Sequence, residues 1–190
     1  MRNRIVLYHT GTGNNQFLAE QIASALRSDI RPLRPRFSSI FLLYLLSLLR
    51  WGSGIRLTKR DLRPYHEVVV VGPIWGGLLI APLRDAIKRA AKTGRAVHFA
   101  TCCGTSDDLK DDRYGYAQVL DAALKAGKGY VKTVEAFPIV MALPPGEDAE
   151  GFEVNDIRLT EENFTPALKQ RLVQFVQKVK DSSLSRPASA

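Results

Sequence analysis

Cysteine is nearly absent. The 190 residues contain two, adjacent at Cys102 and Cys103, so no disulfide framework can form and the small stapled folds of secreted proteins are excluded. Histidine numbers three, and no spacing of His, Cys and carboxylate residues makes a metal-ligand pattern. No Gly-Lys-Ser/Thr follows a glycine-rich loop, which excludes a Walker A site, and neither a nucleophile elbow nor a triad signature occurs. No apolar run reaches the roughly 20 residues of a membrane-spanning helix. No secretory leader pattern precedes the first apolar run at Ile5, so the expected compartment is the cytoplasm. Acidic residues are scarce in one place. Between Arg27 and Arg63 nine basic residues face only Asp29 and Asp61, a local charge of +7 in a chain whose net charge is +8. The remainder is close to neutral, so a general nucleic-acid trap is not indicated. A local anionic surface or partner is.

What is present is strand-to-helix alternation. Ile5-Val-Leu-Tyr8 is a buried strand that runs into His9-Thr-Gly-Thr-Gly-Asn-Asn15. Phe17, Leu18, Ile22 and Leu26 then recur at helical spacing. A turn of this kind gathers backbone N–H groups at a helix N-terminus, a natural seat for a phosphate. Gly11 and Gly13 let the backbone approach closely, Thr10 and Thr12 offer hydroxyls, and Asn14 or Asn15 can cap the helix. His9 could place a cation nearby.

Residues 29–33 are extended, with prolines that suit an edge strand. Glu67–Val71 is uniformly apolar and β-branched after its first residue, as in a parallel strand buried on both faces. It enters a second glycine-rich loop, Gly72–Gly77. Residues 81–92 form a helix with Leu83 and Ile87 inward, and 96–100 a fourth strand leading to Thr101-Cys-Cys-Gly104. A helix over 116–126, a fifth strand within 130–143, a loop over 144–148 and a last helix from a Thr160 cap to Asp181 complete the domain. Phe164, Leu168, Leu172, Phe175 and Val179 share one side of that helix. Residues 182–190 read as a disordered tail, leaving one domain over 1–181 with an atypical segment at 34–63.

Within that segment, Ile40–Leu49 is a helix apolar nearly all round, with Ser38 and Ser39 at its start. At about 20 Å with its flanks it is too short to cross a bilayer. Residues 37–51 therefore read as a helix under a covering loop, a homodimer contact, or a peripheral anchor on anionic lipid aided by the flanking arginines.

Thr10-Gly-Thr-Gly-Asn-Asn15 resembles the phosphate loop of the flavodoxin family, Ser/Thr-x-Thr-Gly-Asn-Ser/Thr, with Asn15 in place of the last hydroxyl residue. Gly72-Pro-Ile-Trp-Gly-Gly77 resembles the turn that family carries after its third strand. The resemblance covers roughly residues 4–140 and thins out between Arg34 and Arg63. It implies an α/β flavodoxin-like doubly wound sandwich, a five-stranded parallel sheet in the order 2-1-3-4-5 with helices on both faces, and ligand binding where the strand order reverses. It further implies an FMN site. Thr10, Gly11, Thr12, Gly13, Asn14 and Asn15 would hold the phosphate, with Asn15 donating through its amide. Pro73, Ile74, Trp75, Gly76 and Gly77 would lie against the flavin ring, and Thr101, Cys102, Cys103 and Gly104 would meet its pyrimidine edge. An adjacent-cysteine disulfide would be strained, so the cysteines read as small loop residues.

Free carriers of this family are usually acidic, and this chain is basic. The resemblance thus leaves open an electron carrier or a flavin-dependent reductase of a small acceptor, served by a redox partner protein or NAD(P)H. The rival is a fold without FMN that binds a membrane or partner through its basic apolar helix.

Overall fold

The computed structural model describes residues 3–37, 39–143 and 156–184. Five strands form one parallel sheet: β1 (Arg4–Tyr8), β2 (Asp29–Pro32), β3 (Glu67–Val71), and, after a small hairpin of β4 (Ile74–Trp75) and β5 (Leu78–Leu79), β6 (Ala96–Cys103) and β7 (Val131–Pro138). Their order is β2-β1-β3-β6-β7, which is 2-1-3-4-5 once the hairpin is set aside. Proline-bearing β2 lies at the edge. Central β3 pairs β1 with Ile5 opposite Val68 and β6 with Val68 opposite Val97.

Strand alternation sorts the core into two layers. Val68 and Val70 join Ile5, Leu7, Val97 and Phe99 beneath α4 (Ala81–Lys92) and α5 (Ala117–Gly127). Val69 and Val71 face the other way, with Val6 and Ala100, beneath α1 (Asn14–Leu26) and α6 (Pro166–Leu184). All five β3 residues are buried, as a β-branched run between two helical layers requires. Leu83 and Ile87 are fully buried in α4, and Phe164, Leu168, Phe175 and Val179 anchor the α6 side.

Residues 34–56 form a closed excursion. The Arg36 N–H donates to the Ser53 carbonyl (3.2 Å) and the Arg56 N–H to the Arg34 carbonyl (3.3 Å), making a neck. The loop holds α2 (Ile40–Leu48), whose N-cap Ser39 accepts from the Leu42 N–H. Just beyond the neck lies α3 (Lys59–Leu62), one turn held by a Thr58–Asp61 capping box that hydrophobic spacing alone does not reveal.

Three expected boundaries shift. β6 continues through Cys103, because its pairing with β7 extends to Cys103 opposite Pro138. Thr160 is not a helix cap: its N–H donates to Asn163 Oδ1 (2.8 Å) in a turn, and α6 begins at Pro166, where the Leu168 N–H reaches Thr165 Oγ1. The same helix runs through Leu184, so residues 182–184 are helical where a tail was expected. The rest of that tail, residues 185–190, the 144–148 loop and Ser38 lie outside the described residues.

Candidate functional site

The turn between β1 and α1 follows from two glycines. Gly13 stands at the N-cap of α1 with φ 96°, a left-handed conformation costly for any residue with a Cβ. The Gly13 N–H donates to Thr10 Oγ1 (2.9 Å), closing the turn. A Cβ on Gly11 or Gly13 would meet nothing within 4 Å, so the outer side of the loop is open. The first N–H groups of α1 have no acceptor within the helix, and its positive dipole end lies there too.

Neither asparagine serves as a cap. The buried Asn14 amide donates to the Ile157 carbonyl and its oxygen accepts from the Leu159 N–H, both at 2.9 Å. Asn15 does the same for one residue of β6: Nδ2 donates to the Cys102 carbonyl (3.1 Å) and Oδ1 accepts from the Cys102 N–H (2.8 Å). The Asn15 amide expected to reach a phosphate is thus committed to the protein, and the backbone remains as the donor set.

After β3, the chain turns through the β4–β5 hairpin. Gly76 and Gly77 have φ of 54° and 71°, the two positive values a tight primed turn demands. A Cβ on Gly77 would stand 2.5 Å from Gln118 Nε2 and 2.9 Å from the Arg113 carbonyl, so the turn also needs a residue without bulk. Trp75 is half-buried. Its ring meets His9 edge-on, with centroids 6.3 Å apart, and packs against the cluster of Leu43, Leu46 and Ala81. Burial lowers the His9 pKa below its ordinary value, against a raising backbone hydrogen bond involving Leu33. Burial thus favours the neutral imidazole of His9 over the cation expected beside the turn.

The turns after β1 and β3 and the end of β6 meet in a cleft of about 120 Å³, lined by Gly11, Thr12, Asn14, Asn15, Pro73–Trp75 and Cys102–Gly104, with Ile139 below. At Ile74 and Cys103–Gly104 it adjoins a wider groove of about 690 Å³ beside the hairpin glycines.

No family model and no curated protein matches the sequence. Solved structures do. A flavoprotein from Lactobacillus acidophilus NCFM in complex with FMN superposes with a TM-score of 0.57 over 72% of this chain and 93% of its own, at 14% identity. A Streptococcus pneumoniae TIGR4 flavodoxin gives 0.51 over 94% and 97%, at 15% identity. Oxidised flavodoxin 2 from Bacillus cereus gives 0.51 over 95% and 99%, at 10% identity.

The fold is flavodoxin-like.

In this flavodoxin-like frame the cleft sits at the carboxyl ends of the strands, where the order reverses between β1 and β3. Ten of the residues singled out in the sequence line it. Gly76 and Gly77 line the adjoining groove instead. Thr10 and Gly13 shape the first turn without lining the cleft, and Thr101 is a fully buried strand residue whose hydroxyl has no partner among the described residues. Cys102 and Cys103 are buried free thiols on opposite faces of β6. Burial pushes both thiols up, Cys103 to about 12, so neither is a thiolate at neutral pH.

The groove adds residues that spacing missed. Leu109, Arg113 and Tyr114 border it. Leu109 and Tyr114 are more than half exposed, and the Arg113 guanidinium lies 5.5 Å from the Tyr114 ring centroid. The signal was a lone Leu and a Tyr within a charged stretch that reads as solvated loop. Asp107 ties this loop down, accepting from Tyr116 Oη (2.6 Å) and from Arg171 of α6. Burial alone would raise the Asp107 pKa; its hydrogen bonds from Arg171 and Tyr116 outweigh that and hold it below the usual carboxylate value.

Proposed function

We propose that this chain binds FMN in the cleft and groove at the carboxyl ends of β1, β3 and β6 and moves electrons through it. One observation carries the reading: the turns after β1 and β3 and the end of β6, far apart in sequence, converge on a single cleft that begins at an open helix N-terminus. The flavoprotein of the same fold from L. acidophilus was crystallised with FMN, which supports it.

The residues suit the group. Backbone N–H groups of Gly11, Thr12, Asn14, Asn15 and Gln16 offer the donors and dipole an anion requires, the Gly13 N–H being held by Thr10. The narrow cleft has the scale of a phosphate-bearing chain, and the groove between the hairpin and Tyr114 has room for a planar ring, with Tyr114 on its border and Trp75 in the adjoining cleft. FMN supplies the redox chemistry when bound. The chain positions it and sets its surroundings: the un-ionised Cys102 and Cys103 line the cleft without adding charge, and Asp112 and Arg113 border the groove. The role is that of a carrier or of a reductase of a small acceptor in the cytoplasm. The net charge of +8 favours NAD(P)H or an acidic redox protein as partner.

An FMN titration followed by flavin fluorescence tests this reading. Gly13→Asp would confound charge with backbone strain, so Thr12→Asp is the cleaner variant: Thr12 is exposed and lines the cleft. A carboxylate there costs about 1–4 kcal/mol against a phosphate, roughly a 5- to 1000-fold weaker Kd. The expected result is a yellow native protein and a weakened variant. Absence of binding by the native chain overturns the proposal.

A further inference from the structure

The helix α2 is apolar on two opposite faces and buries only one, although the Tyr44 ring at the edge of the other lies beside Gly76. Leu43 and Leu46 are buried against Ala81 at the start of α4, with Ser47 beside them. Ile40, Phe41, Tyr44, Leu45 and Leu48 lie within about 140° of helix circumference and are all exposed, Phe41 at 76% and Ile40 at 68%. Phe37, Leu49 and Trp51 extend this surface at either end, with Trp51 63% exposed. Monomeric proteins rarely present a contiguous apolar surface of this kind without a use.

The surface is held in place. Arg84 of α4 donates to the carbonyls of Leu46 (3.5 Å), Ser47 (3.3 Å) and Trp51 (2.5 Å) at the end of α2. The Ala81 N–H donates to Ser47 Oγ (2.8 Å), and Asp85 accepts from the Ser53 N–H and hydroxyl. The exposed face is therefore presented by hydrogen bonds to the domain.

Its rim is basic. Arg34, Arg36 and Arg56 sit together on the neck, Arg50 follows the helix, and all four are exposed. None forms an ion pair among the described residues. The two acids of the segment are used internally: Asp29 accepts from Tyr65 Oη and Asp61 closes the α3 capping box. A cleft of about 360 Å³ beside the end of α2 is walled by Arg50, Arg84 and Lys88, with Lys125, paired to Asp121, at its far side, and by no acidic residue among the described residues.

We propose that this face docks on an anionic lipid bilayer, with Phe41, Leu48 and Trp51 entering the interface and the neck arginines meeting lipid phosphates. A second copy of the chain is the weaker occupant, because a twofold contact would oppose two basic rims across it. A bilayer accepts a convex apolar helix without a matching cavity, and its anionic headgroups suit the rim. Among the described residues no helix is long and apolar enough to cross the membrane, so the contact is peripheral. The proposal does not rest on cofactor binding.

Co-sedimentation of the full chain with vesicles tests it, comparing phosphatidylcholine alone with phosphatidylcholine containing phosphatidylglycerol. The chain is expected to pellet with the anionic vesicles and to be released by high salt. The triple variant Phe41→Ser, Leu48→Ser, Trp51→Ser and the triple variant Arg34→Glu, Arg36→Glu, Arg56→Glu should each reduce binding at least about tenfold. Unchanged circular dichroism in both would show that the fold survives. A chain that stays in the supernatant with anionic vesicles, or that binds neutral vesicles equally well, overturns the proposal. So does a salt-insensitive dimer that the apolar variant dissociates.

Discussion

Asn15 shows what one residue can conceal. By position it stands where a hydroxyl would face a phosphate, and in the structure it grips the Cys102 peptide by both its N–H and its C=O. It lends one residue's worth of strand pairing to the end of β6. Asn15→Ala would leave two backbone groups without partners, at about 1–3 kcal/mol each. The midpoint of thermal unfolding should fall by roughly 5–15 °C. Asn15→Thr can satisfy at most part of the pair and should fall between the two. If it unfolded at the native temperature, the bracket would carry no stability. The sequence made Asn15 visible as a departure, but its partner lies 87 positions away, and no local rule reaches that far. Gly11 and Gly13 were legible for the opposite reason, since a left-handed N-cap is a purely local demand.

The strands and helices that carry the site were legible wherever one face had to be buried. The run of valines in β3 and the helical spacing in α1 and α4 leave few alternatives. The β4–β5 hairpin was not, because two-residue strands carry no periodicity and Gly76-Gly77 could serve any turn. The composition of α2 identifies a helix, but with apolar residues all round, spacing cannot say which face packs. That choice is made by α4, through Ser47 and Arg84. Arg84→Met should remove the three carbonyl contacts and loosen α2 by about 2–4 kcal/mol. Hydrogen–deuterium exchange over residues 40–48 should then accelerate strongly while β3 stays protected. Equal exchange in variant and native protein would show that apolar packing alone holds α2.

For the molecule as a whole, the buried thiols make stability depend on pH. Cys103 has its pKa raised from 9.0 to about 12, and Cys102 is raised as well. Above about pH 9 the unfolded chain releases these protons while the folded chain keeps them, so stability is complete below that pH and falls as pH rises. Each thiol contributes a slope of about 1.4 kcal/mol per pH unit. Tyr116, also raised to about 12 by burial and its bond to Asp107, adds to the loss only above pH 10. Urea unfolding should give about 2–4 kcal/mol less stability at pH 10 than at pH 8, and Cys103→Ala should remove about half of that difference. A flat profile would mean that the thiols are open to water in solution. Whole-molecule chemistry of this kind is illegible in the sequence, where adjacent cysteines give no sign of being enclosed by two helical layers.

The neck at Arg36 and Ser53 brings the two ends of the α2 excursion within one hydrogen bond. Geometrically the excursion could be cut out and the chain rejoined, as with a removable ornament. The domain beneath is not built for that. Excision would strip Arg84 of these three carbonyl acceptors and Ala81 of the Ser47 hydroxyl, and would take Leu43 and Leu46 from the cluster against which Trp75 packs. A shortened descendant of this chain would need an apolar residue at position 84 and a new cover for Trp75 in the same step. The two parts can change over generations only together.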